Sequence, residues 1–333
     1  MLAMLLEQAS VVEQAPLRSV EMEAPAPASG ELRVRVRCCA LCHTDLHIVE
    51  GELPLPKLPV VPGHQIVGVV ETAGNGVRSF REGDRVGIPW LYSTCGTCWY
   101  CRSGRENLCE QARFTGYHVN GGYAEAVIVR EDFCYPLPAG FSDEHAAPLL
   151  CAGIIGYRSF RLSGANRGDW LGLYGFGASA HIVLQFVRYL GIEAAVFTRA
   201  PAHAKLARDL GAAWVGDARQ QPPAPLDAAI IFAPAGALVP EALRATRPGG
   251  TVACAGITMS PIPQIDYSLL YRERTLRSVA NSTRQDAREF LELAAEVPVQ
   301  TTVRLFPLQE ANQALQQLKH SQIDGAGVLR IDL

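Results

Sequence analysis

The pattern of apolar and polar positions changes character near the middle of the chain. Between Gly30 and Ile128 it runs as short β-branched stretches, LRVRVRCC, IVGVVETAG, DRVGI and EAVIV, broken by Gly and Pro. Alternation over so few residues, with turn formers between, predicts a compact, loop-rich antiparallel barrel or sandwich. From about Gly153 to Val279, apolar strands instead alternate with Ala-rich amphipathic stretches. WLGLYGFG reads as strand and turn, SAHIVLQFVRYLG as helix, AAVFT as strand and HAKLARDLG as helix; DAAIIFA and GGTVACAG follow as strands with a helix, PEALRATRP, between them. Such alternation predicts a parallel sheet wound with helices on both faces. Beyond Asn281, QDAREFLELAAE and QEANQALQQLKH read as helices and VLRIDL as a last strand, returning to the first domain. The opening segment, MLAMLLEQASVVEQ, has no basic n-region and meets Glu7 early, so it reads as the first strand.

Composition narrows the function. A chain of 333 residues is too long for one small core, which argues for two domains of roughly 100 to 200 residues. Hydrophobic residues at 48% and charged residues at 19% fit a globular protein. A net charge of −3 supplies no basic field, which excludes nucleic acid and anionic membrane and leaves a small molecule as partner. No run approaches the roughly 18 apolar residues of a membrane span. A cytoplasmic location is expected, where the ten cysteines serve as metal ligands or reactive groups rather than as disulfides.

Cys95, Cys98, Cys101 and Cys109 form C-x2-C-x2-C-x7-C in a polar, Gly-containing loop. Two-residue gaps let sulfurs converge on a tetrahedron, and four thiolates with no open position describe a structural zinc. An iron–sulfur cluster is the competing use of such a set. Cys42 in CALCHTDLH, His64 in VPGHQIVG and Cys151 in APLLCAGIIGY offer two thiolates and one imidazole. Three ligands leave zinc a fourth position for water or a substrate oxygen. Taken singly, His64 equally suits a hydrogen-bonded interior histidine, and Cys151 a small core residue.

Gly175, Gly177 and Ala178 lie in the turn between an apolar strand and a helix, in a G-x-G-x-x-A pattern. Glycines there permit close approach of backbone to a pyrophosphate, which the helix N-terminus attracts. NAD-selective sites usually carry an acidic residue about 20 residues further on. Thr198 holds that place, followed by Arg199. A guanidinium without a competing carboxylate favours NADP(H) over NAD(H), although Arg199 also suits a solvated charge or a stack on adenine.

CHTDLH, PGHQIVGVVETAG, the four-cysteine lobe, LCAGIIGY and GLYGFG occur in the order and spacing of the zinc-dependent medium-chain alcohol dehydrogenases, which the whole chain resembles. GIPWLYSTCGTC and LCAGI are similar to the short microbial, yeast-like branch. The resemblance implies a GroES-like β-barrel catalytic domain at residues 1–152, a Rossmann doubly wound coenzyme domain at 153–280, and a return to the catalytic domain at 281–333. It implies two zinc ions per subunit, a catalytic one on Cys42, His64 and Cys151 and a structural one on Cys95, Cys98, Cys101 and Cys109. Thr44 then matches the hydroxyl that accepts the substrate's proton, and His47 the histidine that passes it on. His43 matches a basic position beside the coenzyme pyrophosphate, Asp45 the carboxylate orienting the histidine ligand, and Trp90 an aromatic wall favouring small primary alcohols and aldehydes. The same residues have plainer uses: Thr44 as a helix N-cap, Asp45 as a first-turn carboxylate, His47 as an exposed helix residue, and Trp90 as packing under the metal lobe. Gln65 departs from the glutamate usual after the zinc-binding histidine, which alters ligand exchange at the metal. The family forms homodimers or homotetramers. Competing functions are a related dehydrogenase for aromatic aldehydes, polyols or formaldehyde adducts, a zinc-free quinone reductase, and a non-enzymatic binding protein on the same fold.

Overall fold

A computed structural model of the protein describes residues 1–297 and 299–331. Two compact units are present: Met1–Cys151 with Ser282–Ala295 and Gln300–Leu333, and Ala152–Asn281 with Glu296–Val299.

The first unit is built on a seven-stranded sheet. Its long central strand, Glu31–Ala40, pairs antiparallel with Gln65–Ala73, Ala126–Arg130 and Ala326–Arg330. Leu32, Val34 and Val36 are fully buried while Arg33 and Arg35 between them are partly exposed, the period of two that a half-buried strand requires. Arg85–Ile88 and Tyr135–Pro136 extend one side, and Val303–Pro307 the other. The opening strand is shorter than its apolar segment, ending at Leu6 and pairing with Leu17–Glu21. Helices Arg284–Glu296 and Ala311–Lys319 and the strand Ala326–Arg330 form where the sequence predicts them; Asp332 and Leu333, the end of VLRIDL, lie outside the described residues.

The second unit carries six parallel strands: Trp170–Tyr174, Glu193–Phe197, Trp214–Gly216, Leu226–Ile231, Thr246–Cys254 and Thr275–Ser278. Numbered along the chain, their spatial order is 3-2-1-4-5-6, the doubly wound arrangement that binds dinucleotides where the order reverses. PEALRATRP is not helical throughout. The helix Leu238–Ala245 stops there and Thr246, Arg247 and Pro248 already belong to the next strand, since Pro248 cannot continue a helix.

Candidate metal and coenzyme sites

The helix His43–Glu50 starts where Asp45 turns back to accept a hydrogen bond from the Cys42 amide at 2.9 Å, and it ends at Gly51 in a left-handed conformation (φ 73°). Cys42 is the cap, so Thr44 sits inside the first turn and is not the N-cap. Asp45 is wholly buried and does more than cap: it accepts from the Gly63 amide at 3.2 Å and from His64 Nδ1 at 2.8 Å. The segment before His64 is held by Gly121, Gly122 and Tyr123, whose amides donate to the carbonyls of Val61, Gly63 and Pro62. Gly63 has φ +97°, and a Cβ there would lie 2.4 Å from the Tyr123 ring, so only glycine fits.

These constraints bring Cys42, His64 and Cys151 together, with ligand atoms within 4.8 Å of one another. Cys42 Sγ and Cys151 Sγ are 3.9 Å apart. Two sulfurs on a tetrahedral zinc at about 2.3 Å each stand about 3.8 Å apart, so the spacing fits a shared metal. His64 Nε2 is buried and has no hydrogen-bond partner, a costly state unless a ligand takes its lone pair. Electrostatics agree. The Cys151 thiol donating to Cys42, with His64 beside it, pulls the Cys42 thiol well below its ordinary range despite burial, whereas Cys151 is pushed up. Burial opposes charge on His64, but Asp45 and Cys42 outweigh it and raise its pKa to about 10. The centre of the cluster thus favours a cation.

Thr44 Oγ1 lies 3.7 Å from Cys42 Sγ, and Thr44 is 8% exposed. His47 follows three positions later on the same helix face, with Nδ1 hydrogen-bonded to Glu52. His43 is exposed, its ring centroid 6.5 Å from that of His47. Gln65 is buried at the start of the strand Gln65–Ala73.

Trp90 stands edge-on to His64, with centroids 4.9 Å apart. Phe114 stacks on it at 5.0 Å and Tyr117 at 5.8 Å. The sequence reading passed over both. The G-Y-H segment after the cysteine lobe signals only a turn, and the stack arises from tertiary folding.

The lobe Cys95, Cys98, Cys101 and Cys109 also converges within 4.8 Å. Its sulfur separations of 3.8 Å (Cys95–Cys101), 3.5 Å (Cys98–Cys101) and 3.6 Å (Cys95–Cys109) match the edges of one tetrahedron. Hydrogen bonds from Thr97 and the Cys98 amide lower the Cys95 thiol to about 6, while burial and Cys98 raise Cys101 to about 11.

In the second unit, Gly175 follows the strand Trp170–Tyr174 with φ +88°, where a Cβ would meet Ala233 at 2.9 Å. Gly177 caps the helix Ala178–Tyr189, and a Cβ there would meet nothing within 4 Å. The loop therefore leaves open space at a helix N-terminus, which suits a phosphate. Tyr174 and Phe197 are paired in register on adjacent strands, and the Gly175 amide donates to the Phe197 carbonyl at 2.9 Å. That places Thr198 and exposed Arg199 at the end of the strand next to the glycine loop.

Comparison with known proteins agrees with this geometry. Residues 28–139 match the alcohol dehydrogenase GroES-like domain family, and residues 180–296 the zinc-binding dehydrogenase family. A protein of Mycobacterium tuberculosis named probable alcohol dehydrogenase is 49% identical over 326 residues, covering 96% of this chain and 94% of its own length. An alcohol dehydrogenase of Geobacillus stearothermophilus is 38% identical, with 98% of this chain and 100% of the relative covered. Among solved structures, a cinnamyl alcohol dehydrogenase of Sorghum bicolor superposes with a TM-score of 0.90 at 26% identity, over 99% of this chain and 97% of that one.

Proposed function

The chain belongs to the zinc-dependent medium-chain alcohol dehydrogenase family, and from that premise we propose that it interconverts small primary alcohols and aldehydes with a catalytic zinc on Cys42, His64 and Cys151. One observation carries the reading: two sulfurs at zinc-ligand spacing face a buried imidazole nitrogen that has no other partner. When bound, zinc supplies Lewis acidity that eases loss of the alcohol's proton, and the oxidised nicotinamide supplies a hydride acceptor.

The protein's part is positioning and proton movement. Asp45 holds the proton of His64 on Nδ1, so that Nε2 would present its lone pair to a metal once its own proton is displaced. The Thr44 hydroxyl, beside Cys42 Sγ, accepts the substrate proton and passes it to His47, one turn further along and nearer water. Trp90, clamped by Phe114 and Tyr117, forms a flat wall next to His64 that admits unbranched substrates. Gln65 stands in place of a glutamate, so no second carboxylate is available there to displace a ligand.

Cys95, Cys98, Cys101 and Cys109 would hold a second zinc, whose role would be structural because four thiolates leave no ligand place for substrate. Gly175, Gly177 and Ala178 would cradle the coenzyme pyrophosphate at the N-terminus of the helix Ala178–Tyr189. Arg199, beside Thr198, would pair with the 2′-phosphate of NADP(H). A reducing, cytoplasmic setting suits six thiols committed as ligands. The exposed edge strand Thr275–Ser278 supports assembly as a homodimer or homotetramer. The test is a matrix of short alcohols and aldehydes against NADP(H) and NAD(H), with zinc measured on the same preparation. Turnover of small primary alcohols with NADP is expected; equal or better efficiency with NAD overturns the Arg199 assignment, and no turnover by zinc-loaded protein overturns the substrate assignment.

A further inference from the structure

The first unit contains a cavity of about 320 Å³ that none of Cys42, His64 and Cys151 lines. Its volume falls within the range of about 300 to 1,000 Å³ typical of small-molecule sites. Lys57, Arg113 and His118 all border it. Lys57 Nζ donates to Asn120 Oδ1 at 2.7 Å, and the Arg113 guanidinium donates to the His118 carbonyl at 3.3 Å. Among the described residues, neither cation has a carboxylate partner. His118 Nδ1 is buried without any hydrogen-bond partner. The one carboxylate on the wall, Glu31, is engaged by Tyr92 Oη at 2.9 Å and the Ala28 amide at 3.1 Å. Burial, and then the charge of Arg113, push both Lys57 and His118 below their ordinary values, which leaves His118 a neutral imidazole beside two cations. Val119, Val127 and Ile128 supply an apolar wall.

We propose that this cavity binds a small organic monocarboxylate, its head received by Lys57, Arg113 and His118 and its aliphatic tail laid on Val119, Val127 and Ile128. The Arg113 fork matches a carboxylate in geometry, and a monoanion is enough to neutralise the excess charge. The apolar side chains of Val119, Val127 and Ile128 in the lining favour an aliphatic tail over a fully polar anion such as phosphate. Nothing in this assignment depends on the metal sites, so its failure leaves the dehydrogenase reading intact.

The experiment is calorimetric titration of the zinc-loaded full chain with hexanoate, acetate and inorganic phosphate. Hexanoate is expected to bind with Kd below about 1 mM, with acetate and phosphate at least about tenfold weaker. Arg113→Gln, at an exposed position, should weaken hexanoate about tenfold and leave turnover without hexanoate unchanged. Lys57→Gln should do the same to binding. Because Lys57 also holds Asn120, the Arg113 variant decides. Hexanoate affinity unchanged in Arg113→Gln would place the carboxylate elsewhere, the catalytic metal included, and overturn the proposal. So would phosphate binding as tightly as hexanoate, or no binding of hexanoate tighter than about 10 mM.

Discussion

Asp45→Asn separates the role of the buried carboxylate from its shape. Asp45 Oδ1 accepts from Gly63 N at 3.2 Å and His64 Nδ1 at 2.8 Å, and Oδ2 from Cys42 N at 2.9 Å. An asparagine keeps one oxygen for the first pair but turns its NH2 group towards the Cys42 amide, so two donors face each other. One charge-assisted bond is lost and one buried N–H is left unsatisfied, a cost of about 2 to 4 kcal/mol. The His64 ring loses its anionic neighbour and becomes a weaker base towards metal, which lowers zinc affinity at that site by about 10- to 100-fold. Competition with a chromophoric chelator reads the affinity, and thermal unfolding reads the stability. The Cys95 lobe is the internal control, since its four sulfurs make no contact with Asp45. A variant that retains both zinc ions as tightly as the wild type, with unchanged melting, would refute the assignment of Asp45.

Thr44→Val keeps the side chain's shape and removes the hydroxyl; kcat/KM for alcohol oxidation should fall by about 10²- to 10⁴-fold at full zinc content, and Thr44→Ser should recover most of it. Arg199→Gln should lower kcat/KM with NADP by about 10- to 100-fold, the worth of one charge-assisted bond, while leaving NAD kinetics unchanged. Glu106 forms a bidentate pair with Arg284 at 2.7 to 3.0 Å. Burial raises its pKa, but Arg284 outweighs burial and holds it below the ordinary value of 4.5. A depressed carboxylate stabilises the fold above the unfolded-state pKa and loses that contribution as pH falls through the native one. Glu106→Gln should therefore cost about 1 to 2 kcal/mol at neutral pH, allowing for partial exposure. It should also flatten the acid limb below about pH 4.5, where chemical denaturation across pH provides the check.

The four-cysteine lobe was legible in the sequence because ligand chemistry fixes both residue type and local spacing, whereas Cys42, His64 and Cys151, far apart along the chain, were grouped only through the family resemblance. The wound sheet was legible because its central strands, such as Leu226–Ile231, are apolar along their length. Two edge strands were not. Trp214–Gly216 has only three residues, and Thr275–Ser278 is mostly exposed, so neither carries a period. The helix end at Ala245 was misplaced because RATRP keeps a helical composition up to the proline itself. Asp45 looked like a choice between first-turn carboxylate and histidine partner, and it is both: one oxygen accepts from the Cys42 amide at the helix start and the other from His64. Phe114 and Tyr117 were out of reach because their contact with Trp90 joins segments far apart in sequence. Cys38, Cys39 and Cys134 are buried and join no metal cluster among the described residues.

Anomalous diffraction at the zinc edge from crystals grown with zinc tests the central claim most directly. The account predicts two peaks per chain, one among the four lobe sulfurs and one at about 2.0 to 2.4 Å from Cys42 Sγ, Cys151 Sγ and His64 Nε2 with a fourth position left to a small oxygen ligand. A peak at the lobe alone, with Cys42, His64 and Cys151 bare after zinc has been supplied, would contradict it.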